Sequence, residues 1–363
     1  MKKTSRARPP VVRLPPKSNV ELALGRSSQV AVIGLGIVGF VFALEAGGFL
    51  LAPVALAVVV GLMLGPIASR LERRGLRPGL SALVVTFLFL LLMLGFIAAL
   101  AAPLAMWADR LPQLWADLQS RLSDLKQPLE MIKGLRDQLK EAFGGQGLEV
   151  QVEDGLPMTD VAVIAPAIGA QILLFLASLY FYVATRDQTR LAILRLCIGR
   201  RLRWRVAHIF RDVEWLVSRY LLSITAINIG LGIATGLALW LIGVPQPFLW
   251  GALSGVLNFV PFVGPTVLMA TLLGVGLASY DSLSAAFMPV LVALALHAVE
   301  SQFVTPLVIG RTMTLNPFIV ILALAFWIWV WGPVGGFIAI PALLIVFAIF
   351  RNIFPSADRD AVD

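Results

Sequence analysis

The chain has 363 residues and a net charge of +8, and 59% of its residues are hydrophobic while only 14% are charged. A soluble domain has about 25% charged residues, so this composition excludes a soluble protein and predicts a membrane protein with arginine-rich cytoplasmic loops rather than nucleic-acid binding. The single cysteine, Cys197, excludes a disulfide framework and a metal site built from several cysteines.

The first segment, residues 1–27, is basic and rich in proline, and it begins MKKTSRARPPVVRLPPK. A secretory signal would have a small-residue cleavage site after its apolar run, and none follows here. We therefore expect residues 1–27 to form a disordered cytoplasmic tail.

The first apolar run, VAVIGLGIVGFVFALEAGG, contains Gly34, Gly36 and Gly39 in the G-x-G-x-x-G spacing of a dinucleotide-binding loop. That fold requires an acidic residue about 20 positions further on and an amphipathic helix after the glycines. Val54 stands where the acid would be, and residues 49–69 carry no charge. We interpret the run as a membrane helix whose small residues permit close helix packing, and we expect no cofactor.

Apolar runs long enough to cross a bilayer recur along the chain, since about 20 helical residues span the hydrocarbon core. The predicted spans are 28–45, 49–68, 80–105, 161–184, two within the uncharged run 220–280, 285–309, and one between Arg311 and Arg351. We expect the loop GVPQP, residues 243–247, to divide the run 220–280, and WGPVGG, residues 331–336, to break the last one. The sequence thus predicts an all-α polytopic protein with about eight membrane segments, some broken by Pro and Gly.

Loop charges predict the orientation of these spans. The short loop 71–78 is basic, residues 185–211 contain eight arginines and one acid, and residues 106–160 contain ten acids and six bases. Because basic loops stay in the cytoplasm, we expect a bacterial inner-membrane protein with a cytoplasmic N-terminus. The predicted order is tail 1–27, spans 28–105, extracytoplasmic segment 106–160, span 161–184, basic cytoplasmic segment 185–215, membrane core 216–351 and polar tail 352–363.

The two large polar segments have helical periodicity. The outer one has a heptad-like series of apolar residues, Leu111, Trp115, Leu118, Leu122, Leu125, Leu129 and Ile132. This series indicates either an amphipathic helix lying on the outer leaflet or a contact between subunits, and the second interpretation predicts a homo-oligomer. In the inner segment, residues 201–220, the arginines face solvent or the headgroups of membrane lipid.

The C-terminal half resembles the autoinducer-2 exporter family of bacterial membrane proteins in four motifs. They are an Asn-x-[Ile/Val]-Pro-[Tyr/Phe]-[Ile/Val]-Gly-Pro turn, a membrane Glu followed by Pro and Gly, a Leu-His-Pro step, and closing Gly and Pro elements. The matching residues here are Asn258, Pro261, Gly264 and Pro265; Glu300, Pro306 and Gly310; Leu315, Asn316 and Pro317; and Gly332, Gly335 and Pro341. Asn316 replaces the histidine that many members have at this position.

The resemblance covers nearly the whole chain and implies a transporter-like protein with about eight spans. Members are linked to export of a small signalling furanone or to sodium–proton exchange. The resemblance therefore implies a small-molecule or ion cargo without identifying it.

Glu300 is the first candidate for a site, because it is the only acid between Asp281 and the end of the last membrane run. A buried carboxylate in a membrane tends to mark an ion or substrate path. It can also cap a neighbouring helix or lie close to the membrane surface. His297 shares the helical face of Glu300 and is either a partner or a packed, hydrogen-bonded residue, while Gln302 is nearby in sequence.

The second candidate is the turn that contains Asn258, Pro261, Gly264 and Pro265. Helices broken inside a membrane line a cavity or are buried in protein, and in transporters they often form the site. The alternative is a kink used for packing, with Asn258 binding freed carbonyl groups. A third set of residues, Thr225, Asn228, Gly232 and Gly236, is interpreted mainly as a close-packing face.

These features favour a secondary transporter that exports a small polar molecule or exchanges a cation for protons. A structural or scaffolding membrane protein and an ion channel are the alternatives. The chain has no H-E-x-x-H motif and no G-x-x-x-x-G-K-[ST] loop, so we expect neither a zinc enzyme nor a P-loop ATPase.

Overall fold

The computed structural model describes residues 19–124, 158–280, 282–309 and 316–353, which are helical apart from short connections. The helices are α1 Asn19–Ala46, α2 Gly48–Arg73, α3 Pro78–Asp124, α4 Met158–Leu196, α5 Arg200–Leu241, α6 Pro247–Leu257, α7 Val263–Ser279, α8 Leu283–Val299, a π-helical segment Glu300–Val304, α9 Thr305–Ile309 and α10 Pro317–Ile353. Seven segments of the described chain are long and apolar enough to cross a membrane. The predicted all-α polytopic membrane fold is confirmed.

The first of two compact units, residues 1–48, contains α1. Its apolar side chains are exposed along the described length of the helix, as expected for a surface that faces lipid. A side chain at Gly34, Gly36 or Gly39 would meet open space. The close packing predicted for these glycines is therefore absent within this unit, because its described part offers no second helix to pack against.

The second unit, residues 49–363, contains the helices from α2 to α10. One face of α2 packs against α3 and α4 through a cluster that includes Ala57, Ala68 and Leu179. Another face packs against α5 and α10 through a cluster that includes Leu221 and Leu344. Both clusters consist of buried aliphatic side chains, so α2 is held on two sides.

The breaks expected from the sequence are confirmed. The loop 243–247 separates α5 from α6, the turn at Pro261 separates α6 from α7, and Trp331 and Gly332 leave the helical conformation inside WGPVGG. The boundaries drawn after residues 105 and 215 fall inside α3 and α5, which continue without interruption. At these points the composition changes from apolar to amphipathic, and such a change does not end a helix.

The second half of the run 220–280 forms a helical hairpin instead of the single span that we expected. Its arms, α6 and α7, have 11 and 17 residues, both short of the roughly 20 that a crossing requires. The tip of this first hairpin is Asn258–Phe262, where Phe262 adopts a positive φ of 64°. The Tyr280 hydroxyl, after α7, donates to the Ile242 carbonyl oxygen, before α6, at 3.2 Å. The first hairpin therefore begins and ends on the same side.

Helix α10 also turns back on itself, at Trp331 and Gly332, where Gly332 has a φ of 59°. A Cβ at Gly335 would collide with the Trp327 carbonyl oxygen. In a straight helix these two residues would lie about 12 Å apart. Residues 317–330 and 333–353 are therefore the two arms of a second hairpin. We call residues 331–337, the turn and the first helical turn of the second arm, the tip of the second hairpin.

The two ends of the second unit are fixed by polar and aromatic contacts. At one end, Arg186 pairs with Glu72 at 2.7 Å and Arg351 pairs with Asp212 at 2.8 Å. We call this the basic end, and it brings together the charged C-terminal parts of α2, α4 and α10 and the first half of α5. At the opposite end, the Trp107 and Trp250 rings are 5.1 Å apart, and the Gln246 amide donates to the Met106 sulfur at 3.6 Å.

Candidate functional site

The tips of the two hairpins meet inside the second unit. The Phe259 ring lies 5.3 Å from the Phe337 ring, centroid to centroid. A Cβ at Gly336 would lie 2.9 Å from a methyl group of Val260. The first hairpin starts at the opposite end and the second finishes at the basic end, so the contact lies between the two surfaces of the unit.

Helix α5 and the first arm of the first hairpin pack at backbone contact. A Cβ at Gly251 would lie 2.5 Å from the Gly232 carbonyl oxygen, and one at Gly255 would lie 2.7 Å from the Asn228 carbonyl oxygen. Small residues permit such close approach between membrane helices. The close-packing face predicted on α5 is confirmed. Because of this contact, α6 lies directly beside the polar side chains of α5.

A buried polar layer follows this contact. We define it as Asn228, Thr235, Ser254, Asn258 and His297, which are at most 9% exposed. The Asn258 amide donates to the Asn228 side-chain oxygen at 2.9 Å, and the Ser254 hydroxyl lies 3.3 Å from the Thr235 hydroxyl and 3.2 Å from His297 Nε2. The layer therefore connects α5, α6 and α8.

The polar layer has one buried donor group without a partner. The Asn228 side chain is only 2% exposed, and its amide nitrogen has no hydrogen-bond acceptor among the described residues. An unsatisfied buried polar group costs about 1–3 kcal/mol. Asn228 is therefore available to an acceptor on a bound molecule, next to the tip of the first hairpin.

Glu300 begins the π-helical segment that interrupts the path from α8 to α9. Single π-helical turns inside α-helices occur frequently at functional sites. The carboxylate is 9% exposed and accepts a hydrogen bond from the Thr305 hydroxyl. It therefore has one polar partner on its own chain segment, five residues ahead.

A groove of about 390 Å³ contains Glu300 and runs between α5 and the segment from α8 to α9. Its α5 side includes the small residues Ala226, Gly230 and Ala234, and its other side includes Leu296, Val299 and Val308. We call it the lateral groove. Apart from the Glu300 carboxylate, the lining that the described residues form is apolar.

The predicted site residues fall into two neighbouring places. Asn258 and His297 belong to the polar layer, and His297 has the packed, hydrogen-bonded environment that was one of its two expected roles. Pro261 lies in the tip of the first hairpin, and Pro265 lies in the first turn of α7.

Gly264 permits the close approach of the two arms, since a Cβ there would collide with the Leu257 carbonyl oxygen. Gln302 is exposed and does not line the lateral groove. None of the predicted turn residues, 258–265, lines the groove that contains Glu300. The end of α8 joins the two places, because His297 lies in its last turn and Glu300 directly follows it.

Sequence reasoning missed two features. Thr235 and Ser254 in the polar layer are small hydroxyl residues in apolar runs, and such residues commonly bond to their own helix, so nothing local distinguished them. The second feature is the pair of Arg186 and Glu72, with side chains 13% and 20% exposed. The Arg186 guanidinium also donates to the Gly65 carbonyl oxygen at 2.7 Å. The sequence places both residues in charged loops and does not predict that they form an ion pair.

No group of three or more His, Cys, Asp or Glu side chains that could hold a metal ion occurs within the described residues. The arrangement consists of apolar helices, two hairpins that meet at their tips, and a small number of buried polar groups. Hairpins of this kind and half-length helices are typical of membrane transport proteins.

Residues 31–354 match the sequence profile of the AI-2E family transporters, and the chain belongs to this family. It is 22% identical over 305 residues to the putative transport protein YrrI of Bacillus subtilis (strain 168), covering 81% of this chain and 84% of that one. It is 23% identical over 332 residues to the putative permease PerM of Escherichia coli (strain K12), covering 89% and 91%. It is 32% identical over 130 residues to the AI-2 transport protein TqsA of Escherichia coli (strain K12), covering 36% and 38%. The family and the names of these relatives indicate a membrane transporter or permease.

Proposed function

We propose that the protein is a secondary transporter of the bacterial inner membrane that exports a small polar molecule or exchanges a cation for protons. One observation carries this proposal: the tips of two hairpins meet beside a buried polar layer in which the Asn228 amide lacks an acceptor. A site of this kind gives a polar cargo hydrogen bonds inside an apolar protein.

The hairpins suit this role because the tip of each one lies inside the protein. Backbone that leaves helical geometry at membrane depth is stable only where it is buried in protein or lines a cavity. At the tip of the first hairpin, Pro261 also removes a backbone donor. Rearrangement of one tip against the other would open the polar layer towards one side at a time.

Glu300 has a separate role in this proposal. The carboxylate takes up a proton or a cation while the polar layer binds the cargo, and helix α8 couples the two through His297 and Glu300. The name of the relative TqsA states transport of AI-2, so AI-2 is the first cargo to test. The proposal also includes a homo-oligomer, a cytoplasmic N-terminus and contact with membrane lipid.

The test is counterflow in proteoliposomes loaded with unlabelled AI-2 and supplied with labelled AI-2 outside. A carrier accelerates labelled uptake when unlabelled cargo is present inside, whereas a channel does not and a scaffolding protein gives no uptake. Parallel vesicles with a pH-sensitive dye and an imposed sodium gradient detect cation–proton exchange. The proposal is contradicted if neither assay gives flux above that of protein-free vesicles.

Replacement of Asn228 tests the polar layer within the same assay. We expect Asn228→Leu to reduce flux at least tenfold, because it removes the free amide and the partner of Asn258. The matched control is Thr271→Val, since the Thr271 hydroxyl is bonded only to the Val267 carbonyl oxygen of its own helix among the described residues. Equal flux in both variants would exclude the polar layer as the cargo site, provided both reach the membrane in equal amounts.

A further inference from the structure

The lateral groove opens to the outer surface of the helices and not towards the polar layer. Val299 and Val308 on its rim are 51% and 43% exposed. On α5, Ala226, Gly230 and Ala234 recur at every fourth position and therefore lie on one face of the helix. Asn228 points away from that face, towards Asn258. A molecule in the groove would reach Glu300 from the lipid side of the protein.

Among the described residues that line the groove, Glu300 is the one that carries a charge. Among the described residues, no Lys, Arg or His side chain forms an ion pair with its carboxylate, and His297 is bonded to Ser254 instead. A buried carboxylate without a counter-charge is costly in an apolar environment. The groove thus combines an apolar lining with a negative charge that a bound cation would neutralise.

We infer that the lateral groove binds an amphiphilic monovalent cation, with its charged head at Glu300 and its apolar body between α5 and the segment from α8 to α9. The volume of about 390 Å³ lies in the range typical of small-molecule sites. A lipid acyl chain would fill the apolar part but would leave the carboxylate without a counter-charge. A hydrated metal ion would neutralise the carboxylate but would leave the apolar walls unused.

This inference deepens the proposed function, since it names a class of cation for Glu300 and rests on that function for the cation's role in exchange. Binding itself requires no transport. An equilibrium measurement on the purified protein therefore separates the two claims.

The experiment uses radiolabelled tetraphenylphosphonium and equilibrium dialysis against the full-length protein in detergent. Tetraphenylborate has the same shape and the opposite charge, so it controls for hydrophobic adsorption. We expect saturable binding of one tetraphenylphosphonium per chain that tetraphenylborate does not displace. Comparable binding of both ions, or binding without saturation, would overturn the inference.

Two variants test the position of the bound cation. Glu300→Gln removes the charge. Gly230→Leu places a side chain in the groove, where a Cβ at Gly230 meets nothing within 4 Å. We expect each variant to weaken binding at least tenfold. The matched control is Gly274→Leu, an exposed helix position on α7 that is also open and does not line the groove.

Wild-type affinity in both Glu300→Gln and Gly230→Leu would overturn the inference even if tetraphenylphosphonium binds. Gly230→Leu keeps the test decisive if Glu300→Gln fails to fold. Tetraphenylphosphonium binding with no flux in proteoliposomes would support the groove and contradict the proposed transport function. AI-2 counterflow without tetraphenylphosphonium binding would support transport and contradict the groove.

Discussion

Glycine has two opposite roles in this chain, and they can be told apart at single positions. At Gly264 and Gly335 the missing side chain permits backbone contact across a turn. At Gly230 and Gly274 the surrounding space is open. The same substitution should therefore have opposite effects on stability at the two kinds of position.

We expect Gly264→Ala to destabilise the protein by about 1–3 kcal/mol, the usual cost of overpacking, because the new methyl group collides with the Leu257 carbonyl oxygen. Gly274→Ala is the control and should be neutral or stabilising by up to about 1 kcal/mol, because alanine loses less backbone entropy in a helix. The measurement is the thermal unfolding midpoint in detergent. An equal midpoint for the two variants would show that α6 and α7 can move apart at Gly264 without loss of stability.

At the scale of elements, the basic end and the hairpin tips differ in how they are held. The basic end has ion pairs between separate helices, Arg186 with Glu72 and Arg351 with Asp212. The tips are held by Phe259 against Phe337 and by Val260 against Gly336, without a polar bond between these side chains. Apolar contacts are not directional, so the tips can shift while the ends stay paired.

A disulfide between the tips tests this difference. In a Cys197→Ser background, we expect Val260→Cys with Gly336→Cys to cross-link under mild oxidation, because a Cβ at Gly336 lies within reach of the Val260 side chain. The cross-link should stop flux in proteoliposomes, and a reductant should restore it.

The control for the cross-link is Gly274→Cys paired with Val260→Cys, which offers no contact between the two thiols. Flux that continues with the tips fully cross-linked would show that transport does not require them to part. The extent of cross-linking is read from the mass of a peptide that joins the two helices.

At the scale of the whole molecule, the arrangement of the second unit agrees with the charge pattern of the loops. The paired charged residues of α2, α4, α5 and α10 share the basic end, and Met106 and Trp107 lie at the opposite end, about 44 Å from Pro78 along α3. Which end faces the cytoplasm stays a prediction from the arginine bias.

Cysteine labelling tests this orientation. With Cys197 replaced by serine, we expect Ser120→Cys to react with a membrane-impermeant maleimide in intact spheroplasts, and Arg205→Cys to react only after the membrane is opened. Labelling of both positions from one side would contradict the topology. Part of the apolar series of residues 111–132 lies outside the described residues, so the homo-oligomer stays a prediction, and native mass spectrometry would test it.

Much of the fold was predictable because apolar length and Pro/Gly breaks are local signals. The loop before Pro247 and the break at Trp331 were placed correctly from composition alone. Composition does not show in which direction the chain continues after a helix break. The segment formed by α6 and α7, which returns to Ile242, was therefore predicted as a membrane-crossing span. The sequence also did not show that Glu300 is separated from the turn at Pro261. This separation arises because Glu300 and the turn contact different faces of α5.

The meeting of the tips has a consequence for biosynthesis. Residues 331–337, which cover the Phe259 and Val260 tip, are made after every other part of the membrane core except the last arm of α10. Until they emerge from the ribosome, the first hairpin is held by the glycine contacts with α5, and neither of its arms is long enough to stay in a bilayer as a span. The tip of the first hairpin is therefore covered only late in the synthesis of the core. A chain truncated before Trp331 would present an uncovered apolar tip to the proteases that remove unfinished membrane proteins.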